Sequence, residues 1–394
     1  MSSSQTYSPF RSVLLREWRR MTSRRLYFGV CIILPLFTLF FMATIFGNGQ
    51  MENIPIGIVD QDNTASSRAI ARNISAVPTF KVTRHFVNEE AARKAVQKKE
   101  IYGYLSIPPK FEQDAISGKN ATLSYYYHYA LLSVGGELMA AFETSLAPVS
   151  LSPIVMQAVA LGVEQDKITT FLLPVQASNH PIYNPSLDYS VYLSQPFFFV
   201  LFQVLILLIT VYAVGIEIKF RTADEWLFVA KGNMVTAVLG KLLPYTIIFI
   251  LIGWLANYVM FGILHIPFQG SWLLMNMLTA LFVVATQALG LFLFSLFPAI
   301  SLIISIVSMV GSLGATLSGV TFPVTNMYPL VRDASYLFPV RHFTEMMQNM
   351  LYGGSGFIFL WPSVVILCIF PLLAFVLLPH LKRAIESHKY ENIK

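Results

Sequence analysis

The sequence predicts an α-helical polytopic membrane protein: six transmembrane helices, an N-terminal amphipathic interfacial helix, and an α/β extracytoplasmic domain between spans 1 and 2. Three observations carry this. Hydrophobic residues make up 55% of the 394-residue chain and charged residues only 12%, and the mean hydropathy is +0.60, the composition of an integral membrane protein. Apolar runs long enough to cross a bilayer, about 20 residues each, begin near Tyr27, Tyr189, Met234, Trp272, Ser301 and Phe357. A stretch of mixed composition, residues 48–189, separates the first run from the second.

Residues 1–26 contain Phe10, Val13, Leu14, Trp18 and Met21 at helical spacing, with Arg11, Arg16, Arg19 and Arg20 on other faces. This pattern fits a helix on the membrane surface, its Trp18 and arginines among the lipid headgroups. A basic segment that only sets orientation is the alternative. Residues 27–47 form span 1. The run is longer than a signal-peptide core, and Ile45-Phe46-Gly47-Asn48 offers no small-x-small cleavage pattern, so it reads as a retained anchor.

Positive charge orients the chain. Arg11, Arg16, Arg19, Arg20, Arg24 and Arg25 put the N-terminus in the cytoplasm. With six spans, the tail at 381–394, carrying Lys382, Arg383, Lys389 and Lys394, falls on the same side. So does the segment with Lys219, Arg221, Lys231 and Lys241. Topology thus accounts for the net charge of +6, and no nucleic-acid partner is implied.

Within the insert, Ile54–Val59, Phe80–Arg84, Tyr102–Ile107 and Ala121–Tyr127 read as strands. Ala65–Ser75 and Glu89–Lys98 read as helices, and Leu131–Leu161 as a more helical remainder. Strands alternating with helices indicate a small α/β domain.

Spans 2–6 occupy residues 190–380. In span 2, Tyr192, Gln195, Phe198, Phe199, Gln203 and Thr210 mix amides with aromatics. Such amides need a cavity or a neighbouring helix for partners. The segment 217–233 opens with Glu217-Ile218-Lys219-Phe220-Arg221-Thr222-Ala223-Asp224-Glu225-Trp226, a mixed-charge helix suited to docking on a cytoplasmic partner. In span 5, Ser301, Ser305, Ser308, Ser312, Ala315 and Gly319 share one helix face, for tight packing or for a weakly polar path. Ser318-Gly319-Val320-Thr321-Phe322-Pro323, then Pro329 and Pro339, interrupt the apolar sequence before span 6. The external segment 323–356 reads either as a re-entrant outer gate or as an ordinary loop with helix-ending prolines.

Nothing here is built for catalysis. Seven histidines include no H-E-x-x-H pair, and Glu89-Glu90 and Asp224-Glu225 are adjacent, so on a helix they diverge. Cys31 and Cys368 lie in spans without metal-ligand spacing, which leaves the expected metal and catalytic sets empty. The phosphate-binding pattern G-x-x-x-x-G-K-S/T is missing; Gly118-Lys119-Asn120 lacks both the leading glycine and the hydroxyl.

Three patches resemble the bacterial type-2 permeases of the ATP-binding-cassette exporters, and the resemblance covers essentially the whole chain. The first is Glu217, Arg221, Thr222 and Glu225, leading into Gly240-Lys241-Leu242-Leu243-Pro244-Tyr245. The second is Ser318 to Pro323 with Met327, Pro329, Ser335 and Pro339. The third is the insert, with Asp60-Gln61-Asp62-Asn63 after a strand and Ile107-Pro108-Pro109-Lys110-Phe111-Glu112. The chain departs from the family pattern at Arg221, where a glycine usually precedes the threonine, and at Gln348, near which an arginine often stands.

The resemblance implies a dimeric half-transporter of the bacterial inner (cytoplasmic) membrane, paired with a second copy or a paralogue. A separate ABC ATPase subunit would power it, so that ATP and Mg bind the partner and this chain carries no cofactor. It implies ATPase coupling through Glu217, Arg221, Thr222, Glu225 and Trp226, with a connecting helix carrying Phe10, Leu14, Trp18 and Arg19. It also implies a substrate path along spans 2 and 5 through Gln195, Phe199, Gln203, Ser305, Ser308 and Ser312, with an outer gate at Gly319, Phe322, Pro323 and Pro339. The apolar spans suit a drug-like or lipid-like substrate. The outer domain is either a platform for a periplasmic adaptor and outer-membrane channel or a lid over the exit. An ion-coupled carrier and a membrane-anchored sensor or assembly scaffold are the competing classes; the scarcity of ionisable residues at mid-span weakens the carrier.

Overall fold

The computed structural model describes residues 8–23, 27, 29–45, 49, 51–117, 119, 121–160, 188, 190–353 and 357–388. The insert's expected ends near Asn48 and Tyr189, Arg24 and Arg25, and the tail lysines Lys389 and Lys394 lie outside them. The chain forms two compact units, one made chiefly of residues 1–49 and 188–394, the other of residues 50–181.

The chain opens with helix α1 (Pro9–Ser23), followed by a π-helical turn, Gly29–Ile33, that runs into α2 (Leu34–Ile45). The insert contributes β1 (Ile54–Asp60), α3 (Ala65–Ser75), β2 (Phe80–Phe86), α4 (Glu89–Gln97), β3 (Gly103–Ile107), α5 (Phe111–Ile116), β4 (Ser124–Tyr127) and α6 (Leu132–Ala160). After it come α7 (Gln195–Lys219), α8 (Ala223–Val229), α9 (Met234–Asn257), α10 (Trp272–Leu296) and α11 (Ile300–Leu317). Two shorter helices, α12 (Pro329–Ser335) and α13 (Pro339–Gly353), precede the last, α14 (Trp361–Glu386).

Among the described residues, five helices are long and apolar enough to cross a membrane: α7, α9 with its π-helical extension to Ile263, α10, α11 and α14. The expected first span is shorter, an apolar stretch over Gly29–Ile45. These helices enclose one continuous apolar core. Within it, α7 packs against α10 and α11, α10 lies along α14, and α1 lies along α9. Gly240 makes the last approach possible. A Cβ there would sit 3.0 Å from the Val13 side chain and 3.2 Å from the Phe10 carbonyl oxygen.

Among its described residues, the insert has a four-stranded sheet in the order β2-β1-β3-β4, with β1 parallel to β2 and β3, and β4 antiparallel to β3. Parallel neighbours need crossover helices, and α3 and α4 supply them. Ile56, Ile70, Ile74, Leu105, Phe80 and Phe142 pack on one face of the sheet, and Val59, Ala92, Ala95 and Tyr104 on the other. Helix α3 starts at a capping box, in which Thr64 accepts from Ser67 N and Ser67 answers to Thr64 N. The strands and two crossover helices read from the sequence are present. Helix α5 went unread because it is only 6 residues long after Pro108-Pro109, below the length at which period can be seen.

Candidate functional site

Helix α1 lies against the start of α9 along one line of buried residues, Val13, Glu17 and Met21. The middle residue is a carboxylate. Burying an unpaired charge costs several kcal/mol, so Glu17 must find cations, and it does. Lys241 Nζ lies 2.5 Å from Glu17 Oε2 and 2.7 Å from Glu217 Oε1, and the Tyr245 hydroxyl donates to Glu17 Oε1 at 2.7 Å. Glu17, Glu217 and Lys241 are at most 1% exposed.

Glu217, two residues before the end of α7, collects more donors. Arg16 grips it as a fork, Nη1 to Oε1 at 2.8 Å and Nη2 to Oε2 at 3.1 Å. Arg20 and the Thr222 hydroxyl also donate to it. Arg16 Nε reaches on to Glu225 Oε1 at 3.4 Å, at the solvent edge. Three cations, Arg16, Arg20 and Lys241, therefore face three carboxylates, Glu17, Glu217 and Glu225. Burial works against the Arg16 charge, but the hydrogen bonds and attraction of Glu217 outweigh it and hold Arg16 above its ordinary value. The network ties α1, the end of α7, the turn into α8 and the start of α9 into one unit.

Helix α8 caps this cluster. Trp226 is fully buried, with its indole N–H bonded to Ala237 O at 3.1 Å and its ring 5.5 Å from Lys241 Nζ. Arg221 adopts a left-handed conformation, φ 55°, in the place where the family pattern has glycine. The outward face carries Glu225, 65% exposed at its side chain, and Phe228, 84% exposed.

The expected coupling residues thus divide. Glu217, Thr222 and Trp226 face inward, and Glu225 is exposed. Of the expected connecting-helix residues, Trp18 and Arg19 are exposed, Phe10 is 37% exposed and Leu14 half-buried. Sequence reasoning missed Glu17, Arg16 and Arg20 as pairing residues, and it counted Lys241 among the surface cations that set orientation. Lys241 is buried because Glu17 and Glu217 surround it. A signal was present: Glu17 is a carboxylate on the line between Val13 and Met21, and Lys241 stands inside an apolar run.

The expected substrate-path residues do not form one surface. Gln195, Phe199 and Gln203 on α7 are fully buried. Gln195 Nε2 donates to Asn257 Oδ1 at 3.2 Å, and Asn257 Nδ2 donates onward to Asn276 and Thr279, each at 3.0 Å. Phe199 packs on Phe343, with ring centroids 4.5 Å apart. Gln203 Oε1 accepts from Val340 N at 2.8 Å and so caps the first turn of α13. Buried amides took neighbouring helices as partners here. On α11, by contrast, Ser305 and Ser312 are exposed and Ser308 half-buried, each hydroxyl bonded to the carbonyl four residues back. Val307, Gly311 and Gly314 face the core instead.

At the far end of α11, Gly319 takes φ +86°, which ends the helix and turns the chain. Phe322 and Pro323 are exposed, and Pro339 is buried at the start of α13. Beside them a polar cleft of about 600 Å³ is lined by Ser318, Gly319, Pro323, Tyr336, Arg341 and Glu345, among others. Arg341 Nε donates to Ser335 Oγ at 2.9 Å and Nη1 to Glu345 Oε2 at 2.8 Å, with the guanidinium 4.3 Å from the Tyr336 ring.

The chain matches the ABC-2 family transporter protein family over residues 25–378. It is 22% identical over 352 residues to the probable multidrug ABC transporter permease YbhS of Escherichia coli (strain K12), covering 88% of this chain and 89% of that one. It is 21% identical over 337 residues to the inner membrane transport permease YhhJ of the same organism, covering 81% of this chain and 82% of that one. With five helices long and apolar enough to cross a bilayer among the described residues and a family match along nearly its whole length, the chain belongs to the ABC-2 family of transporter proteins and is a multi-pass ABC transporter permease.

Proposed function

We propose that the chain is the permease half of a dimeric, ATP-driven exporter of a hydrophobic or amphipathic molecule, with α1 and α8 as the elements that receive motion from a separate cytoplasmic ATPase. The observation that carries this reading is the buried charge network. A rigid joint between a surface helix and the ends of two spans has mechanical use only if force is applied at that surface, and Glu225 and Phe228 stand exposed beside it. In this reading both termini are cytoplasmic, Gly29–Ile45 completes six spans, and the insert is extracytoplasmic. The relative YbhS is described as a probable multidrug permease, which agrees with an apolar cargo.

The permease is purified from its native host through a tag on this chain alone, and the eluate is assayed for a co-purifying ATPase. The expected result is co-purification and hydrolysis stimulated by an amphipathic compound. Replacing Glu225 and Phe228 together by alanine should release the ATPase while the permease stays monodisperse. Undiminished association and stimulated hydrolysis in that variant would remove α8 from the docking surface.

A further inference from the structure

The polar cleft of about 600 Å³ at the end of α11 contains a cation that the protein satisfies only in part. Arg341 is 6% exposed. Its Nε donates to Ser335 and its Nη1 to Glu345, while the Tyr336 ring lies against the guanidinium. A guanidinium carries five N–H donors, and both of those on Nη2 lack a partner among the described residues. This nitrogen is not enclosed by protein atoms; it opens on the cleft that Arg341 helps to line.

The charges around it do not cancel. Among the described lining residues, Arg332 is a second cation and Glu345 the one carboxylate. The Glu345 side chain is 49% exposed and shares its Oε2 with the Ser363 hydroxyl, so water screens a charge that Arg341, held in protein, keeps unscreened. Arg332 has Asp333 at 3.3 Å, an exposed pair of sequence neighbours that holds it weakly. Arg341 also stands in the first turn of α13, the positive end of the helix dipole, where a cation is disfavoured. Two guanidinium groups and a positive helix end around one screened carboxylate leave the cleft short of negative charge. An oxyanion supplies it through charge-assisted hydrogen bonds from Arg341 Nη2 and Arg332.

Position and lining decide what carries the oxyanion. The 18 residues of α11 cover about 27 Å at 1.5 Å per residue, most of a hydrocarbon core about 30 Å thick. The cleft at its end therefore lies at the level of the lipid headgroups, and Pro323 and Val324 give it an apolar wall.

We propose that this cleft binds the anionic head of an amphiphile, with the oxyanion on Arg341 Nη2 and Arg332 and the first part of the apolar body against Pro323 and Val324. The site needs only that α11 crosses the bilayer. Its use by a cargo molecule, as opposed to a membrane lipid, rests on the export reading.

Decanesulfonate is a suitable probe. The full chain is purified without ATPase in dodecyl maltoside, a detergent with no charge, and equilibrium dialysis measures decanesulfonate bound after subtracting the uptake of empty micelles. Saturable binding is expected. On the unaltered chain, N-methyl decanesulfonamide keeps the apolar tail and loses the charge, and inorganic phosphate keeps a charge and loses the tail; each should compete about tenfold or more weakly than unlabelled decanesulfonate, and neither arm requires a variant to fold. Arg341→Gln, which leaves Glu345 to solvent, should raise Kd about tenfold to a hundredfold, the loss of a charged hydrogen bond. Arg332→Gln should raise it about twofold to fivefold. Phosphatidylglycerol separates the two sources: its displacing decanesulfonate assigns the site to a membrane lipid, its failing to do so assigns the site to a cargo head, and either supports the proposal. Binding that rises without saturation, equal competition by the sulfonamide or by phosphate, or an unchanged Kd in both variants would each overturn it. With no ATPase in the assay, its failure leaves the export reading intact, and loss of ATPase association leaves this site intact.

Discussion

Lys241 touches both buried carboxylates and lies beneath the Trp226 ring. Removing its charge while keeping its bulk leaves Glu217 held by Arg16 and Arg20, but leaves buried Glu17 with only the Tyr245 hydroxyl and an Arg20 nitrogen 3.9 Å away. Breaking one side of a buried ion pair costs about 3–5 kcal/mol, so Lys241→Met should lower the midpoint of thermal unfolding in detergent markedly. Neutralising Glu17 as well removes a charge that the first change had stranded. The Lys241→Met, Glu17→Gln double variant should therefore be less destabilised than the sum of the singles, by about 0.5–3 kcal/mol. Strict additivity would mean that the two side chains do not interact in the membrane-embedded protein. Glu17 was legible as a residue type and a helix position, but its role was not. A carboxylate among arginines on a short helix reads as a solvated charge until the helix is placed against α9.

Between elements, close approach decides more than propensity. Helix α1 can reach the cluster because Gly240 presents no Cβ to Val13 and the Phe10 carbonyl. Gly240→Leu should push α1 away from α9, separate Arg16 and Arg20 from Glu217, and expose the α1 backbone. Limited trypsin digestion should then cut after Arg19 and Arg20 several-fold faster than in the unaltered chain, and an unchanged cleavage rate would show that α1 is held by other contacts. The same reasoning explains the α7 amides. Amide groups in an apolar helix had to be satisfied, and that much was visible in the sequence. Their partners, Asn257 and the Val340 backbone N–H, lie 62 and 137 positions away along the chain, and helical period carries no information about such distant pairs.

At the level of the molecule, α11 is the span whose outer face has the least cover. Ser305, Ser312, Met309 and Leu313 are exposed, while only Ile303, Val307, Gly311 and Gly314 are buried. In the dimer proposed above this face meets its counterpart. Ser312→Cys, in a background with Cys31 and Cys368 replaced by alanine, is expected to form a disulfide-linked dimer in oxidised membranes. A cysteine at Gly314, on the buried side, should not. Equal yields from both positions, or none from either, would place the contact between permeases on another helix.

Composition, the length of the apolar runs and the alternation of strands and helices in the insert were enough to set the class of a mostly helical membrane protein and the α/β alternation seen among the described residues of the insert. These depend on hydrophobicity and backbone period, which are local properties of the chain. The absence of a phosphate-binding loop was equally local. Which charges meet could only be decided in three dimensions. Glu17, Glu217 and Lys241 are 24 to 224 residues apart, and each by itself looks like a residue belonging at the surface. Their burial follows from the packing of α1 on α9 beside the end of α7, because a low-dielectric interior accepts a charge only when its counter-charge is already in place.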